Sequence, residues 1–577
     1  MFTIRLSGER WKYVINSDGA GYYAYLPAAF IYHDLNYGFA EENSPLYQKY
    51  AAVDIHLFGN KNADNKRINK YFIGTAVLQS PFFFLARLFS GREDGYSYAF
   101  QLSIALAGIF YLLVGLFFIR KLLQKMKFSE TVTALVLLIL FFGTNLYYYA
   151  LEEPSMSHIY SFALIAAFLF FLQQLRENYS GRYLFFLCAV FALLVLVRPT
   201  NGIILLLVPF FFSWGELKTT AGKIGQNKKT LTISVLLPCG LIFLQLLMWK
   251  LSGGHWLEDS YAGEHFGLLH PHLFEILFSW RKGLFIYTPV LLLAIAGIFF
   301  IPSRNKKTAF LIFLFANTWI ISSWESWWYG GSFGMRPFID FYPVFAISIA
   351  FLFQSAAKIP VKIAIGLVTA FFVFLNLFQV MQYHSGILPF DKMTWNKYKK
   401  IFLESDHVFT GIFPPEKENS NIVPPGSKCI FTLKRNFDND TFPNKAGIVT
   451  NELYCSGNAA VRVDYITKIS GDLFFPLKNV MQSPACFLQV KAKIRMMEDV
   501  TDTKMVIAFK DKKKTYSWNG FYLVHRISST GNWEDYTIAL PVPVLLSDDE
   551  VASVYLVKDD DKTVYMDDLE VSLWKKN

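Results

Sequence analysis

Long runs of apolar residues alternate with short polar loops along the middle of the chain, between about residues 96 and 383. Each run has roughly 16–23 residues, the length that a helix rising 1.5 Å per residue needs to cross about 30 Å of hydrocarbon. The pattern predicts about ten spanning helices, at 96–119, 131–149, 156–175, 183–197, 200–214, 231–250, 283–301, 308–324, 338–354 and 362–383. The residues from 96 to 385 are therefore expected to form a transmembrane bundle.

The loops between these runs fall into two sets of different composition. Lys and Arg concentrate in alternate loops, and such loops are cytoplasmic by the positive-inside rule; they lie at 120–127, 176–182, 218–229, 304–307 and 358–362. The remaining loops are rich in Glu, His, Trp and Gly, and they include GGHWLEDSYAGEHFG and WESWWYGGSFGMR. These loops are expected to face outward.

The N-terminal region, 1–95, is expected to be a first outer loop with interfacial helices. The stretch 71–90 is apolar, but Pro81 in its middle and Arg87 near its end favour a helix lying in the membrane interface over one that spans it. Nothing in residues 1–16 resembles a signal peptide or a span. The pattern therefore indicates that a transmembrane helix expected before the first outer loop is missing.

A different periodicity begins after a predicted linker at 386–404. Stretches such as CIFTLKRNF, ACFLQVKAKIRMM and YMDDLEVSLW alternate apolar and polar residues and are separated by turn residues, which is typical of antiparallel strands. Seven or more such strands predict an all-β sandwich or jelly roll over 405–577. By parity of the spans, this domain is expected outside the cytoplasm. The predicted fold class is thus an α-helical polytopic membrane protein with a C-terminal β domain.

Composition supports the membrane assignment. The chain is 53% hydrophobic and only 17% charged, and its formal net charge of +10 comes mainly from the short loops and the C-terminal third. No aromatic–basic module or Arg/Gly tract accompanies this charge, so no nucleic-acid partner is expected. Five cysteines are too few for a disulfide scaffold, although one bridge among Cys429, Cys455 and Cys486 is left open.

The stretch SDGAGYYAYLPAAF, residues 17–30, places an aspartate between a serine and a glycine ahead of several tyrosines. Asp18 has two interpretations. It is either a carboxylate that favours the start of a short helix, or a general base beside an aromatic acceptor or lipid pocket.

A second acidic group lies in LEEPSMSH. Glu152 and Glu153 stand near a helix start, where acidic residues favour the helix dipole, and His158 follows about one turn later. These three residues are alternatively candidates for positioning an acceptor or binding a divalent cation. Three residues without a ligand spacing do not define a metal site, so the metal stays unknown.

Four cations lie on the face that should be depleted of positive charge: Lys70, Arg198, Arg281 and Arg336. A guanidinium at membrane depth needs an anion, whereas Lys70 also fits a snorkelling anchor. Trp327 and Trp328 accompany Arg336 in a Gly-rich outer loop and suit sugar stacking. Together these residues predict a cavity for an amphipathic anion such as a polyprenyl phosphate that carries a sugar.

This arrangement resembles the GT-C superfamily of membrane glycosyltransferases, which includes protein mannosyltransferases and aminoarabinose transferases. The resemblance rests on an Asp in the first outer loop, on the following KYFIGT segment before an interfacial helix, and on the many spans, and it covers about 13–385. It implies an inverting transfer of a sugar from a polyprenyl phosphate to an acceptor hydroxyl on a glycan, lipid or protein. The enzyme is then expected in a bacterial inner membrane, with its active site facing the periplasm.

The resemblance also implies roles for individual residues. Asp18 corresponds to the catalytic acidic residue of the family, which would take a proton from the acceptor hydroxyl, and Glu152 or Glu153 would orient the acceptor or assist a divalent ion. The cations would stabilise the departing phosphate, with His158 and the two tryptophans as further binding residues. The C-terminal domain would bind carbohydrate or acceptor.

Two other classes of protein remain open. A transporter or flippase for a lipid-linked saccharide would share the cavity, but it is expected to show internal repeats and broken mid-membrane helices. A non-catalytic scaffold for the β domain would not need Arg198 or the Trp/Gly/Arg loop.

Overall fold

The computed structural model describes most of the N-terminal two thirds of the chain and the strands of the C-terminal third. The described residues are 8–41, 44–50, 55–62, 64–90, 94–226, 228–261, 263–405, 423, 426–438, 448–464, 467, 469–470, 473–477, 486–498, 503–510, 515–523, 526–527, 530–542, 551–558 and 562–575. They form two compact units. One unit comprises 1–381 with 393–398, and the other comprises 382–392 with 399–577.

The first unit is helical apart from one short hairpin. Its α-helices are α1 (Ser17–Pro27), α2 (Pro45–Lys49), α3 (Gly74–Ser90), α4 (Tyr98–Lys125), α5 (Glu130–Phe142), α6 (Leu146–Leu151), α7 (Ser157–Glu177), α8 (Gly181–Val197), α9 (Val208–Phe211), α10 (Trp214–Gln226), α11 (Lys228–Ser252), α12 (Leu273–Phe278), α13 (Leu284–Tyr287), α14 (Leu291–Ile298), α15 (Arg304–Ser322), α16 (Tyr342–Ser355), α17 (Ile359–His384) and α18 (Trp395–Ile401). Five 3-10 helices and one π-helical turn complete it: Gly8–Tyr13, Ala28–Tyr32 (the π turn), Gly38–Ala40, Ile55–Leu57, Pro199–Leu207 and Arg336–Phe341.

Among the described residues, five helical segments are long and apolar enough to cross a membrane. They are Tyr98–Lys125, Ser157–Glu177, Thr230–Ser252, Arg336–Ser355 and Ile359–His384. A sixth candidate is the pair Pro199–Phe211 and Trp214–Gln226, which is bent by 111°. These segments make the unit an integral membrane bundle, whereas the count of ten crossings stays a prediction.

Of the remaining predicted spans, 183–197 is the 17-residue helix α8, 308–324 lies mostly in the 19-residue helix α15, and the other three are interrupted or irregular. The run predicted at 131–149 divides into α5 and α6 at Gly143, and the run at 283–301 divides into α13 and α14 around Pro289. The run at 200–214 is largely a 3-10 helix. Hydropathy reports the length of an apolar run, but it does not report where a proline or a backbone turn interrupts the helix.

Burial within the bundle separates a central helix from peripheral ones. Almost all of α7 is buried, and it packs against α4 and α8. In contrast, α11 exposes apolar side chains such as Leu236 and Phe243, and α17 exposes Leu367. A helix that is apolar on every side yet exposed is suited to contact with lipid.

The helix α3 occupies the stretch predicted to lie in the membrane interface. It continues through Pro81, which cannot donate a hydrogen bond to the carbonyl of Val77. The hydroxyl of Ser80 donates to that carbonyl instead, at 2.8 Å. The helix packs against α1, α4 and α8, while Leu88 and Phe89 near its end stay exposed. Its interfacial position stays a prediction.

The second unit is a β-sandwich of two sheets. Its strands are β3 (Lys428–Arg435), β4 (Ile448–Thr450), β5 (Ala460–Val463), β6 (Leu473–Pro476), β7 (Cys486–Met496), β8 (Thr503–Lys510), β9 (Thr515–Tyr522), β10 (Trp533–Pro541), β11 (Val551–Lys558) and β12 (Val564–Lys575). Six strands form one antiparallel sheet in the order β10-β7-β12-β5-β4, with β3 also paired to β12. The other sheet has the order β6-β11-β8-β9. The fold class predicted from the sequence is therefore confirmed.

One hydrophobic core joins the two sheets. Val490 and Ile494 of β7 and Val571 of β12 share it with Ile507 of β8 and Val554 of β11. Alternate residues of each strand enter the core, which is why the period-two pattern was visible in the sequence.

The bridge left open among the three C-terminal cysteines does not form. Cys429 and Cys455 are exposed, Cys486 is buried in the β-sandwich core, and all three are free. The predicted linker at 386–404 contains α18, and residues 393–398 belong to the helical unit.

Candidate active site

Asp18 lies in the first turn of α1, where the helix dipole favours a carboxylate. Its Oδ2 accepts a hydrogen bond from Nη2 of Arg336 at 2.6 Å. The Asp18 side chain keeps 28% of its surface exposed, whereas the Arg336 side chain keeps 10%. The ion pair therefore leaves part of the carboxylate accessible.

Two glycines next to Asp18 allow α1 to approach its neighbours closely. A Cβ on Gly19 would lie 2.0 Å from Oγ of Ser155, and a Cβ on Gly21 would lie 2.5 Å from the ring of Tyr71. Ser155 in turn donates to the carbonyl of Val14 at 2.9 Å. The small residues of the stretch thus bring Asp18 against both the turn after α6 and the Tyr71 ring.

Burial alone would raise the pKa of Asp18. The charges of Arg336 and Lys70 and a hydrogen bond from Tyr71 outweigh burial, so the pKa of Asp18 lies below its ordinary value. The same neighbourhood raises the pKa of the Tyr71 hydroxyl well above its ordinary value, through burial first and the Asp18 charge second. At neutral pH, Asp18 is therefore an ionised acceptor and Tyr71 a neutral donor.

Asp340 organises a second ionic cluster. Its Oδ1 is 2.7 Å from Nδ1 of His158, and its Oδ2 is 3.5 Å from Nη1 of Arg198. Nη1 of Arg198 also lies 3.3 Å from Nδ1 of His158. Because two donors do not hydrogen-bond each other, we assign the Nδ1 proton to the shorter contact with Asp340. This leaves Nε2 of His158 as an acceptor, with Arg198 held by the carboxylate.

Burial differs strongly within this second cluster. The Asp340 side chain is 1% exposed, whereas the Arg198 side chain is 22% exposed. A carboxylate this deep is retained when it is paired and hydrogen-bonded, and both conditions hold here. Asp340 therefore acts as a fixed anchor, while part of the Arg198 guanidinium remains accessible.

Lys70 is held by a carboxylate and two aromatic rings. Its Nζ is 3.3 Å from Oε1 of Glu264, and it lies 5.3 Å and 5.9 Å from the ring centroids of Tyr71 and Tyr261. A cation near ring faces gains from the negative charge of the π system. Lys70 is thus placed beside Asp18 on a surface built largely of tyrosine.

These groups surround one cavity of about 530 Å³. Six predicted site residues line it: Asp18, Lys70, His158, Arg198, Trp328 and Arg336. Further polar and aromatic lining comes from Tyr22, Tyr71, Asp259, Tyr261, Glu264, His265, Asn317, Trp324, Tyr329 and Asp340. The lining thus joins residues from distant parts of the chain.

The loop that follows α11, described at 253–261 and 263–267, contributes one side of the cavity and is held at two points. Nδ2 of Asn60, in the hairpin of β1 (Gly59–Lys61) and β2 (Arg67–Asn69), donates to the carbonyl of Ser260 at 2.9 Å. Farther along the loop, Phe266 forms a β-bridge with Trp324, and the two rings pack edge to face at 4.8 Å. These contacts hold the loop in place as one wall of the cavity.

Four predicted site residues do not line the cavity. Glu152 and Glu153 follow α6 in a turn whose Ser155 faces α1, and Oε1 of Glu153 accepts from the Tyr148 hydroxyl at 3.3 Å. Their prediction as catalytic residues relied on closeness to His158 along the chain. The turn at Pro154 instead separates the two glutamates from the lining, so that prediction is not supported by their position.

Arg281 and Trp327 lie behind the cavity wall. The guanidinium carbon of Arg281 is 3.9 Å from the ring centroid of Trp328 and 5.6 Å from that of Trp327. Trp328 lines the cavity, whereas the other two residues do not. Arg281 therefore supports a lining indole by a cation–π contact and does not itself reach the cavity.

Sequence reasoning left several lining residues out of the predicted site. Asp340 stands four positions after Arg336, and a carboxylate at the start of a spanning segment is a signal of function. Tyr71 follows Lys70 directly, and Tyr261 and Glu264 belong to the loop that follows α11. Nothing in the spacing shows that these residues meet.

Among the residues that the structure describes, no three His, Cys, Asp or Glu side chains come together as a metal site would require. The divalent cation considered from the sequence therefore has no ligand set within that part of the chain.

The fold and cavity define a class: an integral membrane bundle with a buried, ion-lined cavity, together with a β-sandwich unit. No family model matches the chain, and no curated protein matches it. Among solved structures, the chain is similar over 99% of its length to arabinosyltransferase EmbB from Mycobacterium smegmatis, at 9% identity and a TM-score of 0.38. It covers 64% of that protein, so it spans less than two thirds of the relative's length.

A second solved structure is similar to 27% of the chain. It is the CBM22-1 xylan-binding domain of Paenibacillus barcinonensis Xyn10C, which is covered completely, at 12% identity and a TM-score of 0.19. At these TM-scores neither likeness defines the fold or the function of this chain.

Proposed function

We propose that the chain is a membrane glycosyltransferase that moves a sugar from a polyprenyl-phosphate donor to an acceptor hydroxyl. The observation that carries the proposal is the ion pair of Asp18 and Arg336, which leaves the carboxylate partly exposed in a cavity that also holds Lys70 and Arg198. A carboxylate beside several cations offers a proton acceptor and a site for a developing phosphate charge in one place.

In this reaction the acceptor oxygen attacks the anomeric carbon, and the bond from that carbon to the phosphate oxygen breaks. The electron pair of that bond leaves with the polyprenyl phosphate, and the proton of the acceptor hydroxyl passes to Asp18. The lowered pKa of Asp18 makes it a weak base. Proton transfer is therefore expected late, when attack has already made the hydroxyl acidic.

The charge that develops on the phosphate needs donors that are already oriented. Arg336 and Arg198 carry guanidiniums held by Asp18 and Asp340, and each guanidinium has five N–H donors, more than those contacts use. Lys70 adds a third cation. Groups fixed before the reaction do not have to reorganise as the bond breaks, which is the main source of electrostatic catalysis.

The sugar is expected against the aromatic lining. Trp328 presents an indole backed by Arg281, and Tyr261 and Trp324 pack edge to face at 5.4 Å. Such rings contribute apolar contact area with little loss of conformational entropy. The polyprenyl tail would remain in the bilayer, and the acceptor is a hydroxyl on a glycan, lipid or protein. The outer face of a bacterial inner membrane is the proposed location.

The proposal is tested by turnover with a panel of polyprenyl-phosphate sugars. Purified chain in lipid nanodiscs is mixed with each donor and an acceptor, and free polyprenyl phosphate is measured. Asp18→Asn keeps the shape of the side chain but removes its charge, so release should fall by roughly 10²–10⁴-fold while donor binding persists. Glu153→Gln is the matched control, because Glu153 does not line the cavity, and it should turn over normally.

The same experiment separates an enzyme from a transporter. A flippase would move the donor across the bilayer without breaking its sugar–phosphate bond, so no free polyprenyl phosphate would appear with any donor. Asp18→Asn turnover equal to that of the natural chain would remove Asp18 from the mechanism. Absence of release with every donor and acceptor would overturn the transfer reaction itself.

A further inference from the structure

The carboxylates that line the cavity differ in whether the chain gives them a partner. Three of the four each contact a cation: Asp18 with Arg336, Asp340 with Arg198, and Glu264 with Lys70. The fourth is Asp259, an exposed residue that makes no hydrogen bond or ion pair with any residue that the structure describes. The lining therefore keeps one carboxylate whose two oxygens are both available to a ligand.

The backbone around Asp259 is held in place although its side chain is not. Ser260 is buried and, besides its contact with the β1–β2 hairpin, its Oγ donates to the carbonyl oxygen of Lys70 at 3.1 Å. On the other side, Oε1 of Glu258 accepts a hydrogen bond from Nδ2 of Asn62 at 2.9 Å. A binding group on a fixed backbone loses little freedom when a ligand arrives. Asp259 is thus a preorganised acceptor.

Tyr261 is a second polar residue of the same wall without a hydrogen-bond partner. Asp259 and Tyr261 both line the cavity, whereas Ser260 between them does not. Within the described parts of the chain, nothing hydrogen-bonds to the Tyr261 hydroxyl, which can both donate and accept. Its ring packs edge to face against Tyr71 at 6.4 Å and Trp324 at 5.4 Å. This wall therefore combines hydrogen-bonding groups with aromatic rings.

We propose that Asp259 accepts hydrogen bonds from two adjacent hydroxyls of the donor sugar, and so selects a sugar in which both hydroxyls are free. The inference rests on the transfer reaction proposed above. A carboxylate has two acceptor oxygens, which suit two neighbouring hydroxyl donors. Hydrogen bonds to an ionised acceptor are roughly twice as strong as those between neutral groups. The substrate class is therefore a sugar with a free vicinal diol.

The position of Asp259 favours the donor sugar over other parts of the substrates. An unpaired carboxylate repels a phosphate, so Asp259 is suited to contact the neutral sugar next to it. Lys70, proposed above to contact the phosphate, accepts the Ser260 hydroxyl through its backbone, and its Nζ lies 5.9 Å from the ring centroid of Tyr261. A sugar joined directly to a phosphate at Lys70 would therefore lie beside this wall.

The test is equilibrium binding of radiolabelled donors to the full-length chain in detergent micelles, which does not depend on turnover. The parent donor is the polyprenyl-phosphate sugar of the panel that binds most tightly, and each of its ring hydroxyls is removed in turn. We expect two deoxy donors, modified at adjacent carbons, to bind roughly ten-fold or more weakly, because each loses a hydrogen bond to a charged group. The other deoxy donors should change less.

Variants assign that loss to Asp259. Asp259→Ala should weaken binding of the parent donor roughly ten-fold or more. It should then bind the two deoxy donors as well as it binds the parent, because groups that contact each other are not additive. The matched control is Glu258→Gln, which removes the same charge from a neighbouring residue outside the lining and keeps an acceptor for Asn62. It should retain the pattern of the natural chain. Tyr261→Phe should cause a smaller loss than Asp259→Ala.

Turnover of the same donors is measured separately, so that the two proposals can fail independently. Deoxy donors that bind with the expected pattern while no donor releases polyprenyl phosphate would overturn the transfer reaction and leave the role of Asp259 standing. Release of polyprenyl phosphate with equal donor affinities of Asp259→Ala and the natural chain would overturn the role of Asp259 alone.

Three further results would contradict the assignment. Tightest binding of an amino-sugar donor, lost in Asp259→Ala, would show that the carboxylate pairs with a cation. Normal donor binding by Asp259→Ala with turnover lost only for particular acceptors would place Asp259 at the acceptor. Absence of binding by every donor would remove the ligand altogether.

Discussion

The cavity of the helical unit and the outward face of the four-stranded sheet both contain cations, but the arginines of the cavity and the lysines of the sheet contact different groups. In the cavity, Arg336 and Arg198 each contact a carboxylate. On the outward face of the four-stranded sheet, Lys504 lies over the ring of Tyr522, and Lys510 lies near the rings of Phe474 and Tyr555. A carboxylate fixes a cation and lowers the cost of burying it, whereas a ring leaves the cation's attraction for an external anion almost intact.

This difference affects how firmly each cation is held. Paired ions in a cavity are held in one geometry, which favours a reaction whose charge develops at a defined place. A lysine near a ring at the surface of a sheet is held less firmly, because a cation–π contact at an exposed site contributes only about 0.5–1 kcal/mol. Arg281 is intermediate, because it lies in the helical unit but contacts Trp328 in the manner of the sheet lysines. It therefore provides a direct comparison with Arg336.

The largest expected effect separates these two arginines. Arg336→Gln should lower turnover roughly 10²–10³-fold, because it removes an oriented donor and leaves Asp18 without its partner. Arg281→Gln removes a charge of the same type that does not line the cavity, and we expect a loss below about ten-fold. Both are measured as release of polyprenyl phosphate. Equal losses in the two variants would contradict the distinction between a cavity arginine and a supporting one.

The next effect concerns the anchor of the second cluster. Asp340→Asn keeps a group that accepts from His158 but leaves Arg198 without its counter-charge, so unfolding should become about 3 kcal/mol more favourable. Turnover should also fall. The control is Asp259→Asn, an exposed cavity residue, with an expected change within about 0.5 kcal/mol. Denaturation in detergent measures the stability of both variants. A fully stable Asp340→Asn variant would show that Arg198 does not depend on this contact.

A smaller effect tests the close approach of α1. Gly19→Ala places a methyl group where Oγ of Ser155 lies, and the strain should cost about 1–3 kcal/mol of stability. Gly222→Ala in α10 is the matched control, because no atom lies within 4 Å of its added Cβ. It should be neutral or stabilising by up to about 1 kcal/mol, since Ala favours helix. Thermal unfolding in detergent compares them, and equal stability of the two variants would be the contrary outcome.

The smallest expected effect concerns the stability difference between the natural chain and Asp18→Asn, which should not change with pH near neutrality. The pKa of Asp18 is lower in the folded chain than its unfolded value of about 3.9. Its stabilising contribution is therefore fully present above about pH 5 and is lost as the pH falls through the lower folded value. The stability difference between the natural chain and Asp18→Asn should stay constant from about pH 5 to 8. A difference that shrinks near pH 6 would mean that the pKa is raised.

The sequence predicted those parts of the molecule that depend on local periodicity. Alternation along β7, β8 and β12 reports which side chains enter a core, and the long apolar runs of α4, α7 and α17 report helices in a membrane. Strands β4, β6 and β9 were missed: β4 and β6 have only three or four residues, and the sequence of β9, TYSWNGFY, does not keep a regular alternation. Broken helices were missed because hydropathy does not respond to a bend.

Six of the predicted site residues line one cavity. Four of them could be selected from the sequence because a carboxylate or a cation beside a membrane is unusual. What the sequence could not determine is which charges are partners. Asp18 and Arg336 are 318 residues apart, and His158 and Asp340 are 182 apart. Contacts over such separations depend on how helices pack, and only the tertiary structure decides them.

The same division explains the two glutamates and the contact between Trp518 and Tyr555, which lie on strands either side of β8. Glu152 and Glu153 were grouped with His158 because they are close along the chain. A turn between the glutamates and His158 leaves only His158 in the lining of the cavity. Trp518 and Tyr555 gave no signal in the sequence, because their meeting across β8 depends on strand order. The sequence by itself determines the chemistry of each residue and the local periodicity of apolar positions. The distances between remote side chains are determined only by the tertiary structure, because they depend on how helices and strands pack to bury their apolar surfaces.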